Sequence, residues 1–482
     1  MRSFVPLKIQ NALAGTGARQ SADAIAQKTI KCRVRVSPGG YLSVLFFLTF
    51  VAAFLAYFTL TALSLILLIG SWTVIPAIYY FDQIEFDGKS LTRKGLVAFI
   101  KRLLTSRSLR LKVSDVERVE TQTLRTLRSG GKVFYRYRSE VLGEETSFVL
   151  VSGGKQYRLM IRQLFALIAE EKLDTRSLEL RHFLVEPTEI EKKIAETKLP
   201  SADILENTLP KLRRLGLRRQ ERQPPISLDN SKETSHKKVA ELGQVANELR
   251  VAGNLSQAME AFRRALLWQP DNGFLLHDFA RGLYSYASAA RSATWMHRAL
   301  AALRLAAKRS EGNPALLARI GESYFQFGSF ERAAKTFQQA LEADAANFRA
   351  ECGLAEIALH DGKLAHVVHH YQAAVRVAPD AATRRRVQIE ADYFALLNSN
   401  EDYLEAEVSR LGWSQSAARG KRICLRLTIV GLVLTLVGLV LESEFVAFGW
   451  ALAAANLLVW AILSIAARFL SERFSLDEVG RE

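Results

Sequence analysis

Residues 321–340 read GESYFQFGSFERAAKTFQQA, and residues 355–374 read AEIALHDGKLAHVVHHYQAA. The second stretch repeats the pattern of the first at an interval of thirty-four residues. Four pairs of positions agree in this register: Gly321 and Ala355, Gly328 and Gly362, Phe337 and Tyr371, Ala340 and Ala374. A period of this length predicts a unit of two helices joined by a turn, and units of this kind stack into an array.

The same register extends over residues 239–380 and gives four units. Small residues recur where the two helices of a unit are expected to touch: Ala246, Ala258 and Ala265, then Ala280, Ala299 and Ala306, then Gly321, Ala333 and Ala340, then Ala355, Val367 and Ala374. The fourth unit departs from the pattern at Glu351 and Ala358, where large apolar residues are expected. The second unit has extra residues around 285–295, which lengthen its turn or one of its helices.

These positions and their period resemble the tetratricopeptide repeat (TPR) family. The resemblance implies an all-α solenoid that binds a protein or peptide in the groove lined by the first helix of each unit. The groove residues are expected to be Asn247, Arg281, Tyr284, Glu322, Phe325, Gln326 and Glu356. Some relatives clamp an acidic C-terminal tail, and Asn247 and Arg319 fit that clamp. Gly243, Asp278 and Ala315 do not, so that particular ligand is not predicted.

A stretch without any charged residue runs from Tyr41 to Phe81. One helix of that length would be about twice as long as the ~30 Å hydrocarbon core, so two helices with a turn near Tyr57-Phe58-Thr59 are expected. Basic residues lie outside the two ends and none lies in the turn, which places both ends in the cytoplasm. The alternative is a buried helical hairpin of a soluble protein.

Two further apolar runs, Ile423–Leu441 and Phe445–Ala467, predict a second transmembrane hairpin over residues 423–468. Basic residues again flank the outer ends, so the tail 469–482 is expected in the cytoplasm. Gly431, Gly438 and the alanines at 453–455 would allow close packing of the two helices.

Residues 82–175 have a different pattern, in which short stretches alternate between apolar and polar side chains. Residues 108–113, 133–137, 147–151 and 156–160 are predicted as strands, with Gly-Gly turns at 129–132 and 152–155. About seven strands and a closing helix are expected, with an amphipathic helix within 95–105. A membrane hairpin followed by a small strand domain resembles the bacterial pleckstrin-homology-like (PH-like) membrane proteins.

Five basic residues of this region are candidates for contact with acidic lipid headgroups: Lys101, Arg102, Arg107, Arg110 and Lys112. The alternative is a solvated strand face beside the basic flank of the hairpin. Phosphoinositide binding, known in other members of the PH-like fold, is not carried over to this chain.

The remaining segments connect or cap these parts. They comprise a cytoplasmic N-terminal segment 1–40, a helical connector and linker 176–238, and capping helices at 381–418. Within the connector, 188–197 is predicted as a helix, and the leucines and basic residues of 205–219 either rest on the membrane surface or cap the repeats.

The composition and the absence of known motifs argue against several classes of function. The formal net charge is +16, which favours an anionic partner, and the basic flanks of the apolar runs account for it without nucleic acid. The three cysteines are far apart, which argues against disulfide or zinc frameworks. His366, His369 and His370, near His360 and Asp361, are interpreted as a polar helix face rather than a metal site. No catalytic motif occurs, so neither an enzyme nor a cofactor is predicted.

The sequence therefore predicts a multidomain integral membrane protein: a TPR solenoid, a small mainly-β PH-like domain and two transmembrane hairpins with four spans. The expected function is a membrane-anchored adaptor that binds a protein partner at the cytoplasmic face, in a bacterial inner membrane by resemblance. Two alternatives are a lipid-responsive regulator that uses the PH-like domain, and a non-catalytic subunit of a transport or envelope-assembly complex.

Overall fold

The computed structural model describes residues 31–105, 109–127, 133–144, 146–202, 204–205, 232–438 and 443–469. The chain divides into two compact units. The first comprises Met1–Val44, Trp72–Asp361 and His370–Gln388, and the second comprises Leu45–Ser71, Gly362–His369 and Ile389–Glu482. The predicted turn at 129–132 and residues 206–231 of the predicted connector and linker lie outside the described residues, as does Arg107.

Seven strands in the described ranges form two antiparallel sheets of the first unit. Their bounds are β1 Cys32–Arg35, β2 Gln83–Phe86, β3 Ser90–Lys94, β4 Arg110–Lys112, β5 Val116–Leu127, β6 Val133–Gly143 and β7 Ser147–Val151. The first sheet has the order β1-β2-β3-β4 and the second the order β5-β6-β7. The predicted small β region with about seven strands is therefore present.

Strand β1 lies in the segment that was predicted only as an N-terminal extension. It pairs with β2 in antiparallel register, from Cys32 opposite Phe86 to Arg35 opposite Gln83. Its side chains alternate between buried and exposed, and Cys32 and Val34 belong to the core. The sheet is thus formed by residues on both sides of the first apolar stretch.

The strand predicted at 156–160 is wrong, and so is the hairpin turn at 152–155. Helix α4, Gly154–Ala166, occupies this region, with Gly153 at its N-cap. The buried side chains are Tyr157, Met160, Ile161, Leu164 and Phe165, which is the spacing of one helical face. This helix closes the core of the first sheet, and the thiol of Cys32 donates to Gln163 Oε1 at 3.3 Å.

Two other helices of the region agree with their predictions. Leu96–Thr105 forms α3 and corresponds to the predicted amphipathic helix. A 3-10 turn at Glu170–Lys172 leads into α5, Thr175–Phe183, and α6 follows at Pro187–Glu196. The helix predicted at 188–197 is thereby confirmed.

Helix pairs form the solenoid: α7 Lys232–Ala252 with α8 Leu255–Trp268, α9 Gly273–Ala290 with α10 Ala293–Arg309, α11 Pro314–Gln326 with α12 Phe330–Ala343, and α13 Phe348–His360 with α14 Leu364–Val377. Asparagine side chains cap three of the first helices, because Asn272, Asn313 and Asn347 each accept a bond from the backbone amide three residues later. The four predicted repeats are thus four helix pairs.

The extra residues of the second repeat lengthen both helices and leave the turn short. Helix α9 has 18 residues and α10 has 17, against 13 and 14 in the third repeat. The turn consists of Arg291 and Ser292, and Arg291 is left-handed with φ +48°. Ala299 and Leu303 still reach the core, so the insertion does not disturb the packing of the pair.

The first apolar stretch forms α1, Gly39–Tyr57, and α2, Thr61–Phe81. The predicted turn is confirmed, and Thr59 within it has a positive φ of 65°. At the other end, Tyr41 and Arg93 both donate to Asp82, which is fully buried, and the Arg93 Nε to Asp82 Oδ1 distance is 2.9 Å. Both ends of the hairpin are therefore fixed to strand β3.

Helix α15, Ala381–Ser399, begins in the first unit and enters the second at Ile389, where one long helix, α16, Glu401–Gly438, and then α17, Ser443–Phe469, follow it. The second part of the predicted capping region 381–418 and the apolar run from Ile423 belong to the same helix. Gly431 of α16 packs against Ala453 of α17, as predicted, and the Phe50 and Trp450 rings stack at 4.9 Å.

Three helices of the described residues are long and apolar enough to cross a membrane: Gly39–Tyr57, Thr61–Phe81 and Val446–Ala467. The fourth predicted span, 423–441, is not among them. Its described part is the end of α16, and residues 439–441 lie outside the described ranges.

Candidate functional site

The first helices of the solenoid contact a segment of the same chain. We call residues 170–183, which comprise the 3-10 turn and α5, the groove segment. It is fixed to the β domain because Asp174 Oδ1 accepts from the amides of Ser177 at 2.8 Å and Thr121 at 3.2 Å. Leu173 also forms a parallel bridge with Val119 of β5. The β domain thereby presents this segment to helices α7, α9, α11 and α13.

The first part of this contact is a buried cluster around Glu179. Arg176 Nη1 lies 3.0 Å from Glu179 Oε2, while Arg250 of α7 and Arg281 of α9 both approach Oε1. Arg250 donates a hydrogen bond, whereas Arg281 Nη2 forms an ion pair by proximity without hydrogen-bond alignment. The side chains of Glu179, Arg250 and Arg281 are 6%, 2% and 9% exposed. One carboxylate therefore joins α5 to two helices of the solenoid.

Electrostatics keep this cluster charged. Burial raises the pKa of Glu179, but Arg250, Arg281 and Arg176 outweigh it and hold the pKa below its ordinary range. Burial lowers the pKa of Arg281 to about 10, opposed by Glu179. Both groups remain ionised near neutral pH. A small cavity beside them is lined by Tyr135, Tyr137 and Ser285, among others.

The second part of the contact is made by the 3-10 turn. Arg349 Nη2 of α13 donates to the backbone carbonyl oxygens of Glu170 at 2.7 Å and Leu173 at 2.8 Å. Arg319 Nη2 of α11 lies 2.9 Å from Glu170 Oε2, and Lys172 Nζ lies 3.2 Å from Asp380 Oδ1. The third and fourth repeats and Asp380 thus contact the backbone of the turn, its negatively charged Glu170 and its positively charged Lys172.

Glu322 links the groove segment to Arg349, the residue that binds the backbone of this segment. Its Oε1 accepts from Arg349 Nη1 at 2.6 Å, and its Oε2 accepts from Thr175 Oγ1 at 2.8 Å. Burial raises the pKa of Glu322, but Arg349 and Thr175 more than compensate, and the pKa is lowered. Glu322 therefore orients the Arg349 guanidinium for the two carbonyl oxygens.

The Glu170 carboxylate of the turn is also ionised near neutral pH. The nearby His182 imidazole, opposed by burial and assisted by Arg319, lowers the pKa of Glu170 to about 2. The His182 Nε2 to Glu170 Oε1 distance is 3.7 Å, and the Glu170 side chain is 43% exposed. This end of the contact is more open to water than the Glu179 cluster.

The residues predicted to bind a partner divide into two groups. Arg281 and Glu322 contact the groove segment, and Asn247 supports it by donating to Asp278 Oδ2 at 2.7 Å and accepting from Arg250. Burial raises the pKa of Glu356, opposed by Arg118 of β5. These four positions are therefore in or beside the contact with the chain's own β domain.

The three other predicted groove residues lie apart from the turn. Tyr284 stacks on Phe327 with ring centroids 3.9 Å apart and donates to the carbonyl of Gln326 at 3.1 Å. Phe325 packs edge-on against Phe330. Tyr284 and Phe325 are half-buried and Gln326 is exposed. Their role in partner binding stays a prediction.

Sequence reasoning missed Arg250, Arg349, Glu170 and Glu179. The repeat register gives a partial signal for the arginines, because Arg250 follows Asn247 by three residues on the same helix face. The two glutamates carry no such signal, since they lie at the boundary between the predicted β domain and the connector.

The predicted lipid-contacting residues are only partly described. Arg110 and Lys112 are exposed on β4, and Arg110 Nε donates to Ser90 Oγ at 3.0 Å. Lys101 and Arg102 belong to α3, but their side chains lie outside the described part. The described positions, Arg110 and Lys112, are therefore open to solvent.

Within the described ranges, no group of three or more His, Cys, Asp or Glu side chains could hold a metal ion. His370, one of the histidines considered above, lies with Nδ1 2.8 Å from Glu351 Oε2. Burial raises the pKa of the Cys352 thiol to about 12, so this thiol is protonated and unreactive near neutral pH.

Residues 314–347, which include α11 and α12, match the family model for the tetratricopeptide repeat. A search of curated proteins finds no match. This repeat match, with the helix pairs described above, supports the TPR family for the solenoid.

Several solved structures are similar to part of the chain. TTC0263, a thermophilic TPR protein of Thermus thermophilus, is 18% identical, with 34% of this chain and 85% of that chain covered and a TM-score of 0.29. YrrB, a TPR protein with an unusual peptide-binding site, is 15% identical, with 41% and 97% covered and a TM-score of 0.26. MamA is 12% identical, with 30% and 81% covered and a TM-score of 0.25. At these low values no function is transferred from them.

Proposed function

We propose that the chain is a membrane-anchored scaffold whose solenoid binds a protein partner at the cytoplasmic face. The TPR architecture suggests a protein-interaction adaptor, and TPR solenoids are typically non-catalytic. The observation that carries the membrane assignment is the uncovered surface of the three apolar helices. Only 11% of the residues in the most apolar window of each helix are buried. A soluble protein rarely leaves a continuous apolar surface of that size in water.

The dimensions of the hairpin support the same assignment. Helix α1 has 19 residues and α2 has 21, which at ~1.5 Å per residue is close to the ~30 Å hydrocarbon core. Exposed Tyr57 and Phe58 at the tip and Tyr80 and Phe81 at the base are the aromatic residues favoured at both interfaces. We extend this to the apolar run 423–441, which begins within α16 and would be the fourth span.

Orientation follows from the basic residues. Arg33 and Arg35 precede the hairpin, and Arg93 and Lys94 follow it, whereas the 58–60 turn is uncharged. By the positive-inside rule, the β domain and the solenoid would face the cytoplasm, in a bacterial inner membrane by resemblance. Tethering the solenoid there would raise its effective concentration for partners at the same membrane.

Two measurements test this proposal. Carbonate extraction of cell membranes should leave the full chain in the pellet. In a chain with its native cysteines replaced by alanine, Glu444→Cys should react with a membrane-impermeant maleimide from outside intact cells, and Asn230→Cys should react only after lysis. Release by carbonate, or labelling of Asn230→Cys in intact cells, would overturn the membrane topology.

A second function is favoured by the exposed cations of β4. The strand domain, which we propose to be PH-like, would place Arg110 and Lys112 near acidic headgroups and make the scaffold responsive to lipid. Full chain reconstituted into nanodiscs with and without phosphatidylserine would be compared with an Arg110→Gln, Lys112→Gln variant. If acidic lipid changes hydrogen exchange of β4 equally in both proteins, this second function is excluded.

A further inference from the structure

The contact between the solenoid and the groove segment has two parts with different access to water. In the Glu179 cluster, the side chains of Glu179, Arg250 and Arg281 are 9% exposed or less. At the turn, Arg319 and Glu170 are 35% and 43% exposed, whereas Arg349 and Lys172 are 16% and 8% exposed. Breaking a sealed ion pair leaves buried charges uncompensated, whereas a solvated pair exchanges readily with water or another ligand. The Arg319–Glu170 pair is therefore the part of the contact that exchanges most readily.

The groups at the turn recognise features of a peptide rather than features of a packed core. Arg349 binds two backbone carbonyl oxygens, which every peptide has. Arg319 binds a carboxylate, and Asp380 binds a lysine two residues further along the chain. A charge-assisted fork of this kind specifies the position of its acceptors as well as their charge. Any protein with a Glu-X-Lys turn could make the same contacts.

We propose that the turn at 170–173 is an internal ligand of the third and fourth repeats, and that a partner protein displaces it with a Glu-X-Lys turn of its own. This inference rests on the proposed scaffold function and assigns the chemistry of the partner. The required segment is an internal acidic turn with free carbonyl oxygens, and it differs from an acidic C-terminal tail because no terminal carboxylate is needed.

Because the turn 170–173 is tethered beside the groove, it controls the access of a partner to the third and fourth repeats. The turn is held beside the groove by Asp174 and by the Glu179 cluster, so its effective concentration is far above that of a free peptide, about millimolar for an intramolecular ligand. A partner turn with the same contacts then binds weakly to the closed chain. Weakening the internal turn without altering the groove should make the site available.

The probe is a fluorescein-labelled peptide with the sequence of residues 167–175, LIAEEKLDT, added to the full chain in detergent micelles. Fluorescence anisotropy measures its affinity for the wild type, for Glu170→Ala and for Glu171→Ala. Glu171 is exposed and adjacent, so its removal changes the net charge equally. We expect at least tenfold tighter binding to Glu170→Ala than to the wild type, and less than a twofold change for Glu171→Ala.

Two further variants identify the site. Arg319→Ala in the Glu170→Ala background should abolish the gain, and a peptide with glutamine in place of its first glutamate should not show it. If Glu170→Ala unfolds the chain, the isosteric Glu170→Gln takes its place, with the thermal unfolding midpoint as the check. Equal affinity for the wild type and Glu170→Ala, no binding to either, or a gain that survives Arg319→Ala overturns the inference. Failure of membrane anchoring would instead appear in the extraction and labelling experiments, which do not depend on the peptide.

Discussion

Arg250 and Glu179 form an ion pair across 71 positions of the sequence, and both side chains are almost completely buried. The pair joins the first repeat to helix α5, at the start of the predicted connector. Arg281 and Arg176 surround the same carboxylate. These guanidinium groups would not remain together in the interior without the carboxylate, because each isolated charge is costly to bury.

Replacement of Glu179 by glutamine should destabilise the chain by about 3–5 kcal/mol, since it leaves buried guanidinium groups without their counter-charge. Chemical unfolding of the purified chain in detergent measures the change. Glu171→Gln, at an exposed position earlier in the same segment, should stay within about 0.5 kcal/mol of the wild type. Equal effects of the two variants would show that the buried carboxylate does not join the helices.

A glycine is required at position 253, in the turn between α7 and α8, because strand β6 lies very close to its backbone. Its φ is +89°, and a Cβ would lie 1.8 Å from the carbonyl oxygen of Val133. The Val133 amide also donates to the Gly253 carbonyl at 3.0 Å. Gly253→Ala should therefore cost clearly more than the strain of a left-handed backbone alone, which is about 1–2 kcal/mol.

The equivalent turn of the third repeat provides the control for this prediction. Gly328 has φ +75° but nothing within 4 Å of its Cβ position. Gly328→Ala should show the backbone strain alone, measured by the same unfolding titration. If both variants lose the same stability, the contact between the strand and the first repeat contributes nothing.

Acid should weaken the turn contact within a defined pH range. The pKa of Glu170 in the folded chain is lowered from 4.5 to about 2, first by His182 and then by Arg319 against burial. A lowered pKa means that the stabilisation is complete above the unfolded value and is lost as the pH falls towards the folded value. The stability difference between the wild type and Glu170→Gln should be constant above about pH 4.5 and should shrink between about pH 4.5 and 2. A difference that grows in this range would contradict the assignment.

Gly431 should be needed for the packing of α16 against α17. A Cβ there would lie 2.7 Å from the backbone nitrogen of Ala453 and 2.8 Å from the carbonyl oxygen of Gly449. Gly431→Ala should destabilise the chain by about 1–3 kcal/mol, because the helices must move apart. Thermal unfolding in detergent measures this effect.

The matched control is Gly412→Ala in the same helix. Its Cβ would meet nothing within 4 Å, so the better helix propensity of alanine should stabilise by up to about 1 kcal/mol. Stabilisation by both substitutions would mean that the two helices do not pack closely at Gly431.

Local patterns predicted the solenoid and the apolar helices because each depends on spacing within a few turns of the chain. The strand prediction at 156–160 is wrong because so short a stretch fits both the strand period and the helix period. Only the extension to Leu164 and Phe165 shows the helical face. Strand β1 was missing from the prediction for a different reason. Its partner strand lies far along the chain, beyond a stretch that gives no strand signal.

The candidate site shows the same limit. The repeat register places Arg281 and Glu322 on one face, since a fixed repeat period sets the phase of each helix. It does not indicate that Glu179 and Glu170 will meet them, because those contacts depend on how the β domain folds between its own distant strands. Pairing across separate segments leaves no local pattern in the sequence by which it could be predicted.

The pairing of β1 with β2 has a consequence for biosynthesis. Cys32–Arg35 leaves the ribosome before the hairpin, and Gln83–Phe86 leaves after it, yet the two must meet in antiparallel register. In the proposed topology they meet only when the intervening chain has crossed the bilayer an even number of times. A chain inserted with a single crossing would keep an unpaired strand edge on each side of the bilayer, exposed to quality-control proteases. Completion of this sheet would thus distinguish correctly inserted chains from misinserted ones before the solenoid is synthesised.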